Sequence, residues 1–331
     1  MVADSSDTSA LFGAIGGVIP PICTPLTPDR RLDLDSLRSL RTHLIGQGVS
    51  GIFALGTMGE GHYLTPSQST TVVETLAAEK GPEPLLVGIV EPTTPRVLEG
   101  IDRLVSERVD GIVVTGPFYA NVSEPEILRH FELVANHSPV PVLAYNMPSN
   151  TGYALTAHNM IELLAEDLIV GIKDSSLDLT NLRRVTVEVP NVDKKLIFTG
   201  SDTLLDCALD IGANGAVTGL SNIAADYFVA AMAAHADDRR ADLSRILRVL
   251  NILVQVYVPT EVERGPNSTA IGALKSALVA QGIIASDALS EPMTPVTEGR
   301  REHVRSVLDE ARQLVDMAQS SGMAQSSGMA S

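Results

Sequence analysis

The chain has 331 residues, 44% of them hydrophobic, and a formal net charge of −16. This length suits either two ordinary domains or one α/β barrel of about 250 residues with additions. The acidic excess argues against a nucleic-acid partner, because such binding depends on clustered Lys and Arg, but it does not exclude a small anionic substrate. No apolar run approaches the roughly 18 residues of a membrane span, so we expect no membrane association.

The beginning of the chain and its cysteines bear on location. The first residues, MVADSSDTSA, carry acids where a signal peptide has bases, and no typical apolar signal core follows. The two cysteines, Cys23 and Cys207, form no spaced pair and indicate small core residues in a reducing compartment. We therefore expect a cytoplasmic protein, with residues 1–16 as an N-terminal extension.

Short β-rich runs alternate with helical patterns eight times along the chain. The predicted strands are Gly17–Thr24, Gly51–Gly56, Leu85–Val90, Gly111–Gly116, Val140–Asn146, Ile169–Asp174, Leu196–Gly200 and Gly215–Gly219. The predicted helices between them are Asp35–Gln47, Pro66–Glu79, Pro95–Arg108, Glu124–Ala135, Thr156–Ala165, Leu179–Val189, Thr203–Ile211 and Ala224–Ala234. This alternation predicts an α/β fold, a closed (β/α)8 TIM barrel over residues 17–235. A doubly wound open sheet is the alternative, but no GxGxxG follows the first strand.

More helical patterns follow the eighth unit. They cover Arg239–Tyr257, Ser268–Gln281 and Gly299–Met317. Their apolar spacing suits packing on the side of the barrel or a subunit contact, so we predict a C-terminal helical appendage over residues 236–317. The remaining residues, 318–331, repeat AQSSGM and indicate a low-complexity tail outside the fold.

Lys173 lies near the end of the apolar run LIVGIKD, in a chain with five lysines and nineteen arginines. Such a run indicates a strand buried on both faces, where an unpaired ammonium is costly. The amine is therefore paired with a carboxylate, solvated at the strand end, or neutral. Desolvation lowers the pKa of a lysine from about 10.4 and produces the nucleophile needed for Schiff-base chemistry. From this residue alone, an ion pair and a nucleophile are both open.

In such a barrel the active site lies at the carboxyl ends of the strands. The barrel would then aim Lys173 into a mouth ringed by Thr57, Tyr119 and Tyr145, whose hydroxyls can relay protons without a metal. The glycine-flanked turn GTMGE, residues 56–60, can present backbone N–H groups to a carboxylate. Packing tyrosines and a simple tight turn are the alternative explanations. Glu60 and His62 suggest a metal pair, but no third ligand is apparent, so we expect neither metal nor cofactor.

Taken together, these motifs resemble the dihydrodipicolinate synthase / N-acetylneuraminate lyase family of class I, pyruvate-type aldolases. The resemblance runs from about Gly17 to Pro295. It rests on Thr24-Pro25 after the opening strand, GTMGE for G-[ST]-T-G-E, the tyrosine of GPFY, YNMPSNTG for YN-x-P-x-x-TG, and GIKDSS for G-[IV]-K-[DE].

The resemblance implies roles for individual residues. Lys173 would form an imine with pyruvate or another 2-keto acid, and Tyr145 would be the acid/base above it. Thr57 and Tyr119 would complete a proton relay, with Tyr119 reaching across from a neighbouring subunit of a homotetramer built from two dimers. The backbone at Thr57 and Met58 would hold the carboxylate of the 2-keto acid.

Departures from the family pattern bear on the substrate. Asn150 stands where dihydrodipicolinate synthases usually carry an arginine, so aspartate semialdehyde fits less well. Met58 replaces the second Thr of the turn, and its thioether cannot relay protons. Sialic-acid lyases usually continue their strand-seven Asp with Glu, whereas Asp202 is followed by Thr203. These departures favour an aldolase or lyase that acts on a 2-keto-3-deoxy sugar acid, with pyruvate and an aldehyde as partners.

The predicted substrate wall is small and polar, which suits hydroxyl groups. It consists of Asn150, Ser175, Ser176, Asp202, Ser221 and Asn222. With it, the expected substrate-binding residues are Thr57, Met58, Asn150, Ser175, Asp202 and Val217. The alternatives are a 4-hydroxy-tetrahydrodipicolinate synthase-type condensation of pyruvate with aspartate semialdehyde, another hydro-lyase of the family, and a non-catalytic ligand-sensing paralogue.

Overall fold

A computed structural model describes residues 16–259 and 265–327 of the chain, with the side chains of 318–327 excepted. Eight parallel strands form one sheet in the order β1-β8-β7-β6-β5-β4-β3-β2. They are β1 Gly17–Val18, β2 Ile52–Ala54, β3 Leu85–Ile89, β4 Gly111–Thr115, β5 Val142–Asn146, β6 Gly171–Asp174, β7 Leu196–Thr199 and β8 Gly215–Ala216. The predicted (β/α)8 barrel is confirmed. Apart from Gly16, the predicted N-terminal extension, residues 1–16, lies outside the described residues.

The barrel closes between β1 and β2 through a short contact. Pro21 forms a parallel bridge with Phe53, and the Phe53 N–H donates to the Pro20 carbonyl at 3.0 Å. The first strand is shorter than the predicted Gly17–Thr24. Two adjacent prolines, which have no N–H to donate, interrupt the regular ladder there.

Helices cover the outside of the barrel. They are α1 Leu34–Gly46, α2 Pro66–Ala78, α3 Thr94–Leu104, α4 Glu124–His137, α5 Pro148–Thr151, α6 Ala157–Ala165, α7 Leu179–Glu188, α8 Leu205–Asp210 and α9 Ser221–Ala236. Each predicted helix between strands is present, and α5 was not predicted. In α2, the Thr65 side chain accepts from the Gln68 N–H and Pro66 occupies the first turn, so both devices fix where the helix begins.

The register of the sheet places the site. Tyr145 pairs with Thr115 on β4 and with Lys173 on β6, and Lys173 pairs with Phe198 on β7. Because residues paired across parallel strands point to the same face of the sheet, these four side chains face the inside of the barrel. Below and around them lies the apolar filling of the barrel interior, made of Ile19, Phe53, Leu86, Val113, Leu143, Leu196 and Val217.

Three C-terminal helices complete the structure. They are α10 Arg240–Leu253, α11 Pro266–Ala280 and α12 Glu298–Ser327, and a 3-10 turn Val254–Tyr257 follows α10. A second apolar cluster joins α11 and the segment after it to the end of β2, since Met58 and Tyr63 pack there. The division of the chain at residues 16/17, 235/236 and 317/318 stays a prediction. The backbone of α12 continues into the repeated segment as far as Ser327. Among the described residues, no helix combines the length and apolar character that a membrane crossing requires.

Candidate active site

Lys173 is 4% exposed and lies at the end of β6. Its Nζ is 4.1 Å from the centroid of the Tyr145 ring and 5.0 Å from that of the Phe53 ring. Within the described part of the chain, salt bridges are made by Lys80, Lys195 and Lys275 but not by Lys173. The structure therefore does not show the ion-paired lysine of the alternative; the amine lies over two aromatic rings instead.

Tyr145 and Thr57 meet across the mouth of the barrel. The Tyr145 Oη and the Thr57 Oγ1 are 3.2 Å apart, and both residues are buried. Burial alone would raise the pKa of the Tyr145 phenol, but the Lys173 ammonium and side-chain hydrogen bonds from Thr57, Lys173 and Ser175 bring it below its usual value. A phenol in this position exchanges protons more easily than an exposed tyrosine does.

The turn Gly56–Glu60 follows β2 and lies beside these hydroxyls. On the barrel side, the Thr24 hydroxyl donates to the Gly59 carbonyl at 2.6 Å. A β-carbon on Gly59 would come within 2.9 Å of the Ile22 carbonyl, so this position requires glycine. The Met58 side chain packs against the C-terminal apolar cluster, and its backbone N–H is the group available to a carboxylate.

The Glu60 carboxylate has a different partner from the one suggested by the sequence. It forms an ion pair with Lys275 of α11, and both side chains are fully buried. The pKa of His62 is lowered by burial, although the Glu60 charge acts in the opposite direction. Within the described residues, no group of three or more metal-ligating side chains occurs.

A cavity of about 590 Å³ opens beside the Thr57 and Tyr145 hydroxyls. Thr57, Tyr145 and Asn150 are among its lining residues, so the structure brings these three predicted residues together. The Ser175 side chain is among the groups that lower the pKa of the Tyr145 phenol, so Ser175 lies near the same site. Val217 is buried in the apolar interior of the barrel.

Asp202 lies on the other side of Lys173, at the end of β7. Its carboxylate accepts from the Leu220 N–H at 2.8 Å, and it lines a second cavity, between the loop after β7 and α10. Burial raises the pKa of Asp202 to about 6, even though the Leu220 N–H, the hydroxyls of Tyr257 and Thr218 and the Lys173 ammonium lower it. Asp202 is thus electrostatically linked to Lys173 but does not line the cavity of Tyr145.

Three residues of the predicted polar wall are bound to the protein itself. The Ser176 hydroxyl donates to Asp174 at 3.1 Å, and the Ser221 hydroxyl donates to the Thr218 carbonyl at 2.6 Å. The Asn222 side-chain NH₂ donates to the Pro21 carbonyl, and its Oδ1 accepts from the Cys23 N–H. These hydrogen bonds connect and stabilise the segments at the mouth of the barrel.

Tyr119 does not reach the site of its own chain. It is 100% exposed and has a φ of 78°, a left-handed conformation that is uncommon for an aromatic residue. The neighbouring Phe118 lines the cavity instead.

One polar residue of the cavity, Thr115, was not identified from the sequence. Thr115 is buried, lines the cavity, and has a hydroxyl without a hydrogen-bond partner among the described residues. Alternation along β4, where Val113 points inward, could have indicated it, since residues two apart share a face.

The chain is similar to known proteins in both sequence and fold. The sequence model of the dihydrodipicolinate synthetase family matches residues 14–311. A DapA-like lyase of Halobacterium salinarum, itself uncharacterised, is 34% identical over 214 residues, which are 64% of this chain and 69% of that protein. A 4-hydroxy-tetrahydrodipicolinate synthase of Shigella dysenteriae serotype 1 is 28% identical over 297 residues, 89% and 98% of the two chains.

Among solved structures, YagE of Escherichia coli K12 is similar to this chain. Its crystal structure, in complex with pyruvate, is described as that of a prophage protein of the dihydrodipicolinic acid synthase family. It superposes with a TM-score of 0.83 at 28% sequence identity, covering 90% of this chain and 98% of YagE. YagE is named provisionally as a 2-dehydro-3-deoxy-D-gluconate aldolase.

Proposed function

The chain belongs to the dihydrodipicolinate synthetase family of lyases and aldolases, and from this premise we propose that it is a Schiff-base aldolase for a 2-keto-3-deoxy sugar acid. It would cleave the acid to pyruvate and a hydroxyaldehyde, or form the acid from these two. The observation that carries this proposal is the amine of Lys173, buried over the Tyr145 ring without a carboxylate partner among the described residues. The provisional name of YagE supports the same substrate class.

The reaction begins at the ketone. The Lys173 ammonium passes a proton to the Tyr145 phenolate, the resulting amine attacks C2 of the 2-keto acid, and the carbinolamine loses water to give an iminium ion. Tyr145 and Thr57, with hydroxyl oxygens 3.2 Å apart, supply and remove the protons of these steps. The iminium stays cationic, so the faces of the Tyr145 and Phe53 rings stabilise it as they do the ammonium.

Bond cleavage then uses the iminium as an electron sink. The Tyr145 phenolate accepts the proton of the C4 hydroxyl, the C3–C4 bond breaks, and its electron pair moves into the iminium to form an enamine. The aldehyde leaves. Protonation of the enamine at C3 and hydrolysis of the resulting imine release pyruvate and return Lys173. The lowered pKa of Tyr145 favours the phenolate that this sequence requires.

The substrate carboxylate would lie against the turn Gly56–Glu60, bound by the backbone N–H groups of Thr57 and Met58. Oriented backbone N–H groups bind anions whatever the net charge of the chain. The distal hydroxyls of the sugar acid would reach Asn150 and Ser175. An amide at position 150 donates and accepts hydrogen bonds with hydroxyls but lacks the bidentate geometry that arginine offers to a carboxylate.

We also propose that Tyr119 acts in the site of a neighbouring subunit of a homotetramer. In a single chain, Tyr119 is fully exposed and its backbone is left-handed. This is expected of an aromatic side chain that becomes buried only when it inserts into a neighbouring subunit. The test uses mixed tetramers. Co-refolding of Lys173→Met chains with Tyr119→Phe chains would recover activity above that of either variant alone if Tyr119 acts in trans, and would not if it acts elsewhere.

Two measurements test the proposed function. Reduction with sodium borohydride in the presence of pyruvate would add mass to the peptide that holds Lys173; no added mass would leave the non-catalytic ligand-sensing paralogue as the better explanation. A screen of pyruvate release across 2-keto-3-deoxy acids then defines the substrate. The synthase-type alternative, favoured by the similarity to 4-hydroxy-tetrahydrodipicolinate synthases, predicts turnover of pyruvate with aspartate semialdehyde and none of 2-keto-3-deoxygluconate.

A further inference from the structure

We infer that the buried ion pair between Glu60 and Lys275 positions the turn that binds the substrate carboxylate. This role rests on the function proposed above. Glu60 is the last residue of that turn, whereas Lys275 lies within α11, in the C-terminal part of the chain. Both side chains have 0% exposure. A C-terminal helix is thereby attached directly to the catalytic mouth.

The pair has a defined orientation. One Glu60 oxygen faces the Lys275 ammonium, and the other accepts from the Ser290 N–H at 2.7 Å. The Lys275 ammonium also donates to the Ala288 carbonyl at 2.8 Å. Because each carboxylate oxygen has its own partner, the Glu60 side chain is held against both α11 and the segment that follows it. Charged groups buried without such partners would be strongly destabilising.

The backbone of Glu60 needs this support. Its φ is 57°, a left-handed conformation that is unfavourable for a residue with a long side chain. The turn is also closed by the Glu60 N–H, which donates to the Thr57 carbonyl at 3.1 Å. An unfavourable backbone conformation persists only where its surroundings hold it, and the side chain of the same residue is the part that is anchored.

A second contact attaches the same turn to the same part of the chain. The Met58 side chain packs with Tyr63 against a buried cluster from α11 and the segment after it. The members of that cluster are Ile271, Leu289, Met293 and Val296. The turn is therefore fixed on its outer side by an ion pair and by apolar packing, and on its inner side by the Thr24 hydroxyl.

This attachment has a consequence for catalysis. The backbone N–H groups of Thr57 and Met58 and the 3.2 Å contact from Thr57 to Tyr145 all move with the turn. A displacement on the order of 1 Å at a positioning group is enough to weaken binding or catalysis greatly. Neither Glu60 nor Lys275 lines the cavity beside Tyr145, so they act as positioning residues, and their loss should weaken pyruvate binding more than it slows the bound enzyme.

The test measures the pyruvate concentration that gives half-maximal borohydride trapping of Lys173. Glu60→Asp keeps both charges but draws the carboxylate back by one methylene. Glu60→Gln with Lys275→Met removes both charges together. The matched control is Asp167→Asn with Lys195→Met, because Lys195 is another buried, ion-paired lysine but lies before β7, at the opposite end of the barrel. All variants are compared below their melting temperatures.

We expect the half-maximal concentration to rise by about tenfold or more in both Glu60 variants and to change by less than about twofold in the control. If wild type is trapped and both Glu60 variants match it within that margin, the pair is only stabilising and the inference is wrong. Should the double variant not fold, Glu60→Asp decides alone. If wild type itself is not trapped, the proposed function fails, which is a separate outcome.

Discussion

Two lysines are buried close to the mouth of the barrel, and their surroundings differ. Lys275 lies between the Glu60 carboxylate and the Ala288 carbonyl, so its charge is compensated and its ammonium has a hydrogen-bond acceptor. Lys173 faces two aromatic rings, and among the described residues no carboxylate forms a salt bridge with it. Burial of a lysine therefore does not distinguish a structural role from a chemical one, whereas the partner of its ammonium does.

The two environments favour different roles. A buried ammonium and a buried carboxylate compensate each other, and removing either charge leaves the other uncompensated. An ammonium can pass its proton to a neighbouring phenolate, and the lowered pKa of Tyr145 favours that phenolate. Lys173 and Tyr145 are thus placed for proton exchange, whereas Lys275 and Glu60 are placed as an ion pair.

The largest difference is expected when each lysine is replaced in turn. Lys173→Met should lower kcat by about 10⁴-fold or more, because the imine cannot form. Its free energy of unfolding should be unchanged or higher, since a buried ammonium is replaced by an apolar chain of similar length. Pyruvate-release assays and urea denaturation measure the two quantities. Retained activity with Lys173→Met would contradict the role proposed for this lysine.

Lys275→Met should, in contrast, lower the free energy of unfolding. The substitution leaves the Glu60 carboxylate buried without its counter-charge, and the free energy of unfolding should fall by about 3–5 kcal/mol. Urea denaturation of Lys275→Met, and of the Glu60→Leu/Lys275→Met double variant, provides the measurement. The double variant should recover most of the loss, because it removes the remaining charge. A double variant no more stable than Lys275→Met would show that the pair is not the source of the effect.

These two lysines also mark what can be predicted from the sequence. Lys173 follows an apolar run of strand character, and a strand-end position in a barrel is enough to aim it at the mouth. The partner of Glu60 could not be predicted in this way. Lys275 is far away in the sequence and sits within an ordinary helical pattern, so only the packing of α11 on the barrel mouth reveals the pair.

Other differences have local causes. The first strand is shorter than its apolar run predicts, because Pro20 and Pro21 have no N–H to donate to the ladder. Residue type alone predicts the polar wall, yet the side chains of Ser221 and Asn222 form hydrogen bonds with backbone carbonyls. Small polar residues after a strand commonly satisfy the backbone, and sequence spacing does not separate those from residues that face a ligand.

Tyr145→Phe should have a smaller effect than the loss of Lys173. The imine can still form, but cleavage loses its base, so kcat should fall by about 10²-fold or more. Borohydride trapping of Lys173 with pyruvate should persist, at a reduced rate. Trapping and turnover are measured on the same preparation, and the two results separate imine formation from cleavage. Equal losses in both would indicate that Tyr145 acts only in forming the imine.

The smallest expected effect concerns the pH dependence. The Thr57 hydroxyl is one of the groups that lower the pKa of Tyr145, so Thr57→Val should raise that pKa. If the phenolate is the base, kcat increases as pH rises through the pKa of Tyr145. In a plot of kcat against pH, the ascending limb of Thr57→Val should therefore lie at higher pH than that of wild type. Each unit of displacement lowers the rate at a fixed pH below the limb by about tenfold.

Thr115→Val is the matched control for this shift. It makes the same chemical change on β4, at a buried hydroxyl that has no hydrogen bond to Tyr145. Its ascending limb should coincide with that of wild type, because no interaction that lowers the pKa of Tyr145 is removed. The opposite results are an ascending limb that moves equally in both variants, or one that moves to lower pH in Thr57→Val. Either result would contradict the proposal that the Thr57 hydroxyl lowers the pKa of the base, and proton transfer beside Lys173 would then follow another route.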